Sequence, residues 1–502
     1  MSESCGNPAV ETEAIMNRRL KYDRSKLCIK CKVNSGRVVV RHAVYCKDCF
    51  PALLTSKVKR LLEPYINPSP ELSRRKSLKA SGNLLIGYSG GLGSTVLLDL
   101  ISKIYLSNRS ELKSQGAREN KPRGGKDHPR NEPVWKKASV CYVEISSAFP
   151  GTVDQTDKIK LLVEEKFEAL EFISLRLEDS FDRKWWAKIG RNTFSDLNVD
   201  VTNADLFFST VSDDSIPDPV QKLRSYISAL PTHTAIDNAI RTLTRILLLY
   251  TAHYTQSSHL LLGTSLTSLS ISLISSISQG GGFAVREEAQ EEWNPGSSSA
   301  STPIRLVRPL QEITMKECSL WAWWNNLCVV GRAKHPGSKQ GIGALTKDFI
   351  VGLERDYPST VSTIARTCAK LAPKVCAEGF CILCERPLQP GVQDWKSRIS
   401  IRATTVSPNS AAPIPLSIAP LLCYSCHTTL TSRSSKAVSN FGNASIPLPI
   451  WAAVHLNGSP SDPNSIYAEG LEDKREANRD VWVTRKAGPD EMKAVIGDFL
   501  LE

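Results

Sequence analysis

Residues 83–105 read NLLIGYSGGLGSTVLLDLISKIY, and this stretch decides the fold. Its first six residues form a short apolar run, which is typical of a strand buried on both faces of a parallel sheet. From Thr95 to Tyr105 the apolar residues are spaced for one face of a helix. A tight, glycine-rich turn lies between the two. The stretch therefore predicts a strand, a turn and a helix, the first part of a βαβ unit.

The turn carries the residues that we expect to face a nucleotide phosphate: Ser89, Gly90, Gly91, Gly93, Ser94 and Thr95. Glycine permits a positive φ angle and a close approach of the backbone to a ligand. The two hydroxyl residues come where the helix begins, so backbone N–H groups and hydroxyl groups would point at an anion. Any tight strand-to-helix turn favours such residues, so the turn alone is a weak signal. The strand before it and the helix after it strengthen the prediction.

The alternation of strand and helix continues along the chain. We expect the order strand 139–145, helix 157–170, strand 171–175, helical region about 219–256, strand 259–263 and helix about 314–327. This order predicts an α/β domain with a doubly wound parallel sheet over residues 80–370. Polar stretches at about 107–133 and 284–303 interrupt the pattern, and we interpret them as disordered insertions.

Eight of the fourteen cysteines form four CxxC pairs. In a reducing compartment such pairs are metal ligands or redox sites rather than disulfides. Between the pairs Cys28–Cys31 and Cys46–Cys49 lie an Asn-Ser-Gly turn and a β-rich run, and two knuckles on a hairpin complete a tetrahedron of sulfurs. Residues 24–63 are therefore predicted to be a zinc ribbon followed by a short helix that ends at Pro64. Free surface thiols or a thioredoxin-like redox pair are the alternatives.

The other two pairs, Cys381–Cys384 and Cys423–Cys426, are separated by a long loop rich in proline and serine. Cys376 and His427 lie nearby as alternative ligands. We predict a second zinc site within residues 371–450. Four thiolates close the coordination sphere of Zn²⁺, so we interpret both zinc sites as structural. Such binding can supply about 10 kcal/mol of folding free energy to a small module.

The composition is that of a globular protein, with 41% hydrophobic and 23% charged residues among 502,. A chain of this length is expected to hold more than one domain. It contains no apolar run as long as a transmembrane helix, and its first residues lack the basic and apolar regions of a secretory signal. We expect a disordered lead at 1–23, a tail with a terminal helix at 451–502, and a cytoplasmic protein without membrane contact.

The formal net charge of +12 favours a polyanionic partner,. Between Asn17 and Arg60, thirteen Lys and Arg residues face only Asp23 and Asp48. A zinc ion with four thiolates would lower this excess from eleven to nine. A solvated surface is the alternative to nucleic-acid contact. The contact candidates are Arg37, Arg41, Lys57, Lys59, Arg60, Arg74 and Arg75.

Arg241 and Arg245 lie four residues apart in the strongly apolar helical stretch 239–254. They are candidates for contact with a phosphate group. An ion-paired or solvated helix face is the more common role of such a pair.

The turn at Ser89–Thr95 resembles the PP-loop of ATP pyrophosphatases, whose usual form is SGGxDS. Gly93 stands where that family has its aspartate, so ATP is a doubtful cofactor for this chain. The cysteine ribbon, the altered loop, the segment LLLGTSLTSLS and the terminal IGDFLL together resemble the cytoplasmic tRNA 2-thiolation protein 2 family. The segment Val307–Ala322 is similar to the piece by which the superfamily folds back over the nucleotide site. The resemblance implies an adenine nucleotide alpha hydrolase-like fold of the PP-loop type.

The resemblance also reveals missing catalytic features. Related active tRNA thiolases use cysteines in the middle of the domain, but no cysteine lies between Tyr142 and Glu317 here. The acidic pair of those enzymes is replaced by Gly263–Thr267, which holds no carboxylate. With Gly93, these differences predict a pseudo-enzyme subunit without catalytic residues of its own.

The resemblance implies a heterodimer with a catalytic thiolation subunit that takes sulfur from a thiocarboxylated ubiquitin-related modifier. The implied substrate is the wobble uridine of tRNAs of the Lys, Glu and Gln type, so the basic candidates become tRNA-contact candidates. Two alternatives remain open. One is a self-sufficient ATP-dependent tRNA sulfurtransferase, and the other is a zinc-ribbon adaptor without an enzymatic role.

Overall fold

The structure is a computed structural model, and the statements below concern the residues that it describes. These are residues 27–40, 43–67, 78–106, 133–167, 170–191, 196–202, 205–210, 218–294, 303–331, 337, 341–371, 373, 375–377, 379–392, 417–432 and 445–456. The predicted lead at 1–23, nearly all of the insertion at 107–133 and the tail beyond residue 456 lie outside them, as do Arg41, Arg74 and Arg75. No helix within the described ranges is both long and apolar enough to cross a membrane.

A six-stranded sheet forms the centre of the fold. The described strands are β1 Val38–Val40, β2 Ala43–Tyr45, β3 Asn83–Tyr88, β4 Ala138–Glu144, β5 Glu171–Arg176, β6 Leu197–Asp200, β7 Phe208–Thr210, β8 Ser257–Leu262, β9 Glu291–Trp293, β10 Ile304–Val307 and β11 Ser445–Pro447. The central sheet has the order β5-β4-β3-β8-β10-β9. All neighbours are parallel except the edge strand β9, which runs antiparallel to β10. The strands spread outward from β3 in both directions, so the predicted doubly wound sheet is confirmed.

Helices cover both faces of this sheet. The described α-helices are α1 Cys49–Ile66, α2 Leu92–Ile101, α3 Thr156–Lys166, α4 Arg183–Lys188, α5 Pro219–Ser228, α6 His233–Tyr254, α7 Leu266–Ser278, α8 Val285–Ala289, α9 Met315–Trp324, α10 Ile342–Asp356, α11 Pro358–Lys370, α12 Tyr424–Thr431 and α13 Ile450–Leu456. One apolar core contains α1, α2, α3 and α9, and a second contains α5, α6 and α13. In β3, Leu84 and Ile86 enter the first core and Leu85 the second, which explains its continuous apolar run,.

Helix α1 runs to Ile66, so the predicted end at Pro64 is wrong. A proline removes one backbone hydrogen bond of the last turn. The turn persists because Leu62 and Ile66 are fully buried in the core. In addition, the carbonyl oxygen of Tyr65 accepts a hydrogen bond from Arg305 Nη1 at 2.9 Å.

Helix α1 is also fixed to the central domain by charge. Lys57 Nζ lies 2.6 Å from Glu317 Oε1 of α9, and both side chains are largely buried. Arg60, one turn further along α1, pairs with Glu312 at the surface. The ribbon and the sheet are therefore parts of one packed body.

The predicted loop insertion at 284–303 contains α8 and β9, so the prediction is wrong for that part. Val285 and Ala289 pack in an apolar cluster with α7 and α11. Glu291 pairs with Arg245 of α6. The stretch is rich in glutamate and therefore has the composition of an exposed loop. Glu288 and Glu291, however, are buried and paired with arginines.

The C-terminal part of the chain is joined to the central domain by a second, three-stranded sheet with the order β11-β6-β7. Helix α13 follows β11 and buries Trp451 in the core beneath the central sheet. The domain boundary that the sequence predicts at residue 450 therefore falls inside α13. The module that holds the last four cysteines is continuous with the sheet domain.

Candidate functional site

The glycine-rich turn lies at the switch point of the sheet. Strand β3 leads into Ser89–Thr95 and the neighbouring strand β8 leads into Gly263, so both connections leave the same edge. In open α/β sheets, ligands bind at this edge where the strand order reverses. Gly90 has a φ angle of +68°, which an L side chain rarely adopts,. The predicted phosphate loop thus lies at the edge of the sheet where such folds bind ligands,.

Gly93 and Gly263 pack backbone against backbone across this switch point. A Cβ atom on Gly93 would collide with the carbonyl oxygen of Gly263. A Cβ atom on Gly263 would lie 2.5 Å from the Cα atom of Ser94. An aspartate at position 93, as the PP-loop pattern requires, does not fit this backbone. The two glycines close the gap between the loops.

The hydroxyl groups of the turn are bonded within the turn itself. Ser94 Oγ and Thr95 Oγ1 donate to the carbonyl oxygen of Gly91 at 2.9 and 3.0 Å. Ser89 Oγ lies 3.2 Å from Ser94 Oγ, and Tyr88 Oη lies 3.1 Å from Thr95 Oγ1. Ser94 and Thr95 are buried. The hydroxyls of Ser94 and Thr95 therefore stabilise the turn, whereas Ser89 is exposed.

The segment that follows α9 crosses the turn. Gly331 N donates to the carbonyl oxygen of Gly90 at 3.0 Å. Val330 and Ile159 lie within van der Waals distance of a Cβ atom placed on Gly90. Helix α9, in the segment expected to fold back over the site, packs on α2. There Trp321 Nε1 donates to Asp99 at 2.8 Å.

The loop after β8 holds hydroxyl residues in place of an acidic pair. Ser265 Oγ accepts a hydrogen bond from Ser268 N and caps α7. Thr267 Oγ1 donates to Glu354 at 2.7 Å and accepts from Met315 N at 3.0 Å. The loop therefore joins α7, α9 and α10 and offers no carboxylate to a metal-bound nucleotide.

The first cysteine group comes together as predicted. The Sγ atoms of Cys28, Cys31, Cys46 and Cys49 all lie within 4.8 Å of one another, and those of Cys31 and Cys46 are 3.8 Å apart. Zn–S bonds of about 2.3 Å in a tetrahedron give sulfur edges of about 3.8 Å. Asn34 N points at Cys31 Sγ from 3.5 Å. The four sulfurs fit one tetrahedral metal ion, which would cross-link the two knuckles beside the β1–β2 hairpin.

The second group consists of Cys381, Cys384, Cys423 and Cys426. Their Sγ atoms also lie within 4.8 Å of one another, and those of Cys384 and Cys423 are 3.7 Å apart. The two alternative ligands lie outside this group. Cys376 is exposed, and His427 Nδ1 bonds to Thr431 Oγ1. This group likewise fits one ion.

Within each group the thiols differ in pKa because their surroundings differ. Burial opposes ionisation of Cys28, but nearby backbone N–H groups outweigh it and lower the pKa of its thiol to about 6. Hydrogen bonding to the sulfur of Cys46 raises the pKa of Cys49 to about 12. Hydrogen bonds from the three other thiols of the second group lower the pKa of Cys384. Backbone N–H groups of Asn34 and Val33 likewise lower the pKa of Cys31. Each group therefore contains at least one thiol whose surroundings favour the thiolate form that binds a metal ion,.

The predicted basic candidates have different environments. Arg37 and Lys59 are exposed. Arg60 is largely exposed although it pairs with Glu312. Lys57 is unsuited to tRNA contact because it is committed to Glu317.

Three further lysines of the ribbon are exposed: Lys30, Lys32 and Lys47. They are not among the basic contact candidates predicted from the sequence. A sequence signal for them exists. Each is adjacent to a cysteine ligand of the first group. Residues that flank ligand sulfurs in a tight knuckle have little room to turn inward.

Comparisons with known proteins find a family to which this chain is similar. The model of the family described as cytoplasmic tRNA 2-thiolation protein 2 matches residues 341–428. Cytoplasmic tRNA 2-thiolation protein 2-B of Xenopus laevis is 25% identical, and the match covers 78% of each chain. The protein of the same family name from Phaeosphaeria nodorum is 24% identical over 83% of this chain and 97% of its own length. The human relative is 23% identical over 83% of this chain and 82% of its own.

This chain is similar to the cytoplasmic tRNA 2-thiolation protein 2 family. The resemblance inferred from the sequence is confirmed. Among solved structures, the chain is similar to the U34-tRNA thiolase NcsA of Methanococcus maripaludis, determined with its 4Fe-4S cluster. That match has a TM-score of 0.43 and 16% identity, and covers 75% of this chain and 98% of that one.

Substitution of Gly93 by alanine should destabilise the fold, because the new Cβ atom meets the backbone of Gly263. Overpacking of this kind costs about 1–3 kcal/mol. Thermal unfolding followed by circular dichroism measures the effect. Gly352→Ala is the matched control, because a Cβ atom there meets nothing within 4 Å. Equal midpoints for the two variants would show that the loops can separate freely.

Proposed function

We propose that this protein is the non-catalytic subunit of a cytoplasmic complex that 2-thiolates the wobble uridine of tRNA. The observation that carries the proposal is the backbone contact between Gly93 and Gly263. It lies at the edge of the sheet where an ATP pyrophosphatase would hold its nucleotide. The family supplies the connection to tRNA 2-thiolation.

The chemistry explains why a closed switch point argues against catalysis. Thiolation at C2 of uridine requires activation of the oxygen by adenylation, followed by displacement of AMP by sulfur. Adenylation uses a magnesium-bound triphosphate, and displacement uses a nucleophilic sulfur. The turn lacks the aspartate, and its hydroxyls are bonded internally.

The thiols near the sheet are poorly suited to the second step. Cys141 and Cys318 are buried, and burial raises the pKa of each thiol well above its usual range. A thiol held protonated in an apolar core is a poor nucleophile. Cys328 is exposed and lies in the segment after α9. The sulfur is therefore expected to come from elsewhere.

A catalytic thiolation subunit is the partner that supplies these missing groups in a heterodimer. That subunit would take sulfur from a thiocarboxylated ubiquitin-related modifier. The substrates that we propose are tRNAs of the Lys, Glu and Gln type. Two structural zinc ions, one in each cysteine group, would hold the knuckles in place.

The tRNA surface that we propose is the N-terminal ribbon. Lys30, Lys32, Arg37 and Lys47 are exposed on it, and Asp48 is the acidic residue among them. An anticodon arm is a single-stranded loop on a phosphate-rich stem, which a dense cationic surface binds through the backbone. Because α1 is packed into the sheet core, the ribbon would hold bound tRNA at a fixed position relative to the partner subunit.

Reconstitution tests the division of labour. Wobble-uridine thiolation of transcribed tRNA is measured by nucleoside mass spectrometry with ATP, a sulfur donor, and each subunit alone or both together. We expect product only with both subunits, and the same rate when this chain carries Cys328→Ser. Product from this chain alone would instead establish the self-sufficient sulfurtransferase.

Salt dependence tests the ribbon as the tRNA surface. Each phosphate contact contributes about one unit to the slope of log affinity against log salt concentration. We expect Lys30→Ala with Lys32→Ala to weaken tRNA binding and to lower this slope by about two. Lys347→Ala, at an exposed position of α10, is the control and should leave the slope unchanged. An unaltered slope in the ribbon variant would remove the ribbon from the binding surface.

A further inference from the structure

The residues Cys381–Arg386, which we call the third knuckle, are held by elements of the sheet domain. Arg245 Nη1 of α6 donates to the carbonyl oxygen of Cys384 at 2.8 Å. Trp451 Nε1 of α13 donates to the carbonyl oxygen of Leu383 at 3.1 Å. The knuckle is therefore buried between α6 and α13, and its sulfurs lie within the same core as the sheet.

The carboxylate of Glu385 in this knuckle has its own donors. Tyr250 Oη and Trp293 Nε1 donate to it at 2.8 and 2.7 Å, and His455 Nε2 lies 2.9 Å away. These groups come from α6, β9 and α13. The hydrogen-bond partners of Glu385 are therefore these three groups and not the nearby arginines.

Two arginine–glutamate pairs lie beside the knuckle. Arg245 forms a two-pronged ion pair with Glu291 of β9. Arg386 pairs with Glu288 of α8 and lies 3.9 Å from Glu291. Burial opposes ionisation of Glu288, but Arg386 and its neighbours outweigh it and lower the pKa of this carboxyl. Both glutamates are therefore charged.

Two more arginines bring an excess of positive charge. Arg308 is buried, and its Nη1 has no hydrogen-bond partner among the described residues. Arg241 Nη1 donates to Ser272. Arg308 acts on both glutamates already named, and Arg241 acts on Glu288. Four guanidinium groups therefore face two paired carboxylates, while burial raises the pKa of the neighbouring Glu287 carboxyl toward the neutral form.

Two of the arginines and three of the sulfurs line one cavity. This cavity of about 40 Å³ is lined by Arg241, Arg386 and Glu288 together with Cys384, Cys423 and Cys426. A divalent metal ion with four thiolates carries a net charge of −2. This charge is opposite in sign to the excess of the four arginines over Glu288 and Glu291.

We propose that Arg245 and Arg386, backed by Arg241 and Arg308, form a cationic shell that neutralises the metal-bound tetrathiolate of the second site and thereby retains its metal ion. A buried ionic centre is costly unless nearby groups compensate its charge. Outer groups of this kind commonly change metal affinity by about 10–100-fold. Neither arginine contacts the metal, so both are positioning residues for the site.

The first cysteine group has a different environment. Its sulfurs are approached by Asn34 through N and Nδ2, at 3.5 and 4.0 Å, and Asp48 bonds that same side chain. Cys31 and Cys49 there are partly exposed, so solvent can screen the charge,. The inference is therefore specific to the second site, and the first serves as an internal reference.

Zinc release tests the shell. The zinc-loaded full chain is mixed with a chromogenic chelator, and the release of each zinc equivalent is timed. We expect Arg386→Met to accelerate one equivalent by about 10–100-fold and to leave the other unchanged. The double variant Arg386→Met with Glu288→Gln restores the local charge balance, so its release should return toward the wild-type rate.

Two further variants keep the test independent of folding losses. Glu288→Gln alone adds to the positive excess and should release zinc no faster than the wild type. Arg183→Met removes an arginine paired with Asp196, away from the knuckle, and is the control for lost cationic charge in general. Wild-type release from Arg386→Met, or release from the double variant as fast as from the single, would overturn the proposal. The result does not depend on whether the complex thiolates tRNA.

Discussion

The close approach of Gly93 and Gly263 is the constraint on which the function of this sheet depends. Two neighbouring parallel strands deliver these glycines to the one edge where the strand order reverses, the usual ligand crevice of such folds,. In this chain the backbones at Gly93 and Gly263 are in contact at this edge, and Gly331 N donates to the carbonyl oxygen of Gly90. The sheet therefore retains the architecture of a nucleotide-binding domain while its binding edge serves to pack loops together.

The same sheet supports a cysteine group on each face. Helix α1, which begins at Cys49 of the first group, packs into the core that contains α2 and α9. The third knuckle enters the core that contains α6 and α13. Their electrostatic environments differ. The first lies in a lysine-rich surface, whereas the second lies against buried arginines that are already paired in part. The two groups are thus suited to different roles, an exposed cationic platform and an internal cross-link.

Local sequence patterns predicted the parts of the fold that local forces determine. The run Asn83–Tyr88 is a strand because every residue after the first is buried on one face or the other. The four CxxC pairs predicted both cysteine groups because knuckle spacing fixes the sulfur positions. Long-range partners were not predictable. Pro64 lies inside α1 because residues distant in sequence stabilise the last turn. Glu291 lies in a strand, where it forms an ion pair with Arg245, 46 residues away in sequence.

The sequence predicted where the site lies but not that its two loops are in contact. Serine and glycine at 89–95 indicated the loop, and the glycine at 93 indicated a lost carboxylate. Only the three-dimensional structure shows that a second glycine, Gly263, 170 residues later in the sequence, packs against Gly93. Arg241 and Arg245 show the same limit. Their spacing was compatible with phosphate contact or with ion pairing. Only the position of β9 and the third knuckle shows that Arg245 is paired with Glu291, whereas Arg241 donates to Ser272.

Binding of magnesium-ATP to the isolated chain is the most direct test of the closed switch point. Isothermal titration calorimetry, with the zinc-loaded protein and no partner subunit, reports it without any dependence on turnover. The account predicts no saturable heat of binding. Saturable binding of one ATP that is lost on substitution of Ser94 by alanine would contradict it, because that result requires the loops at Gly93 and Gly263 to open around a nucleotide.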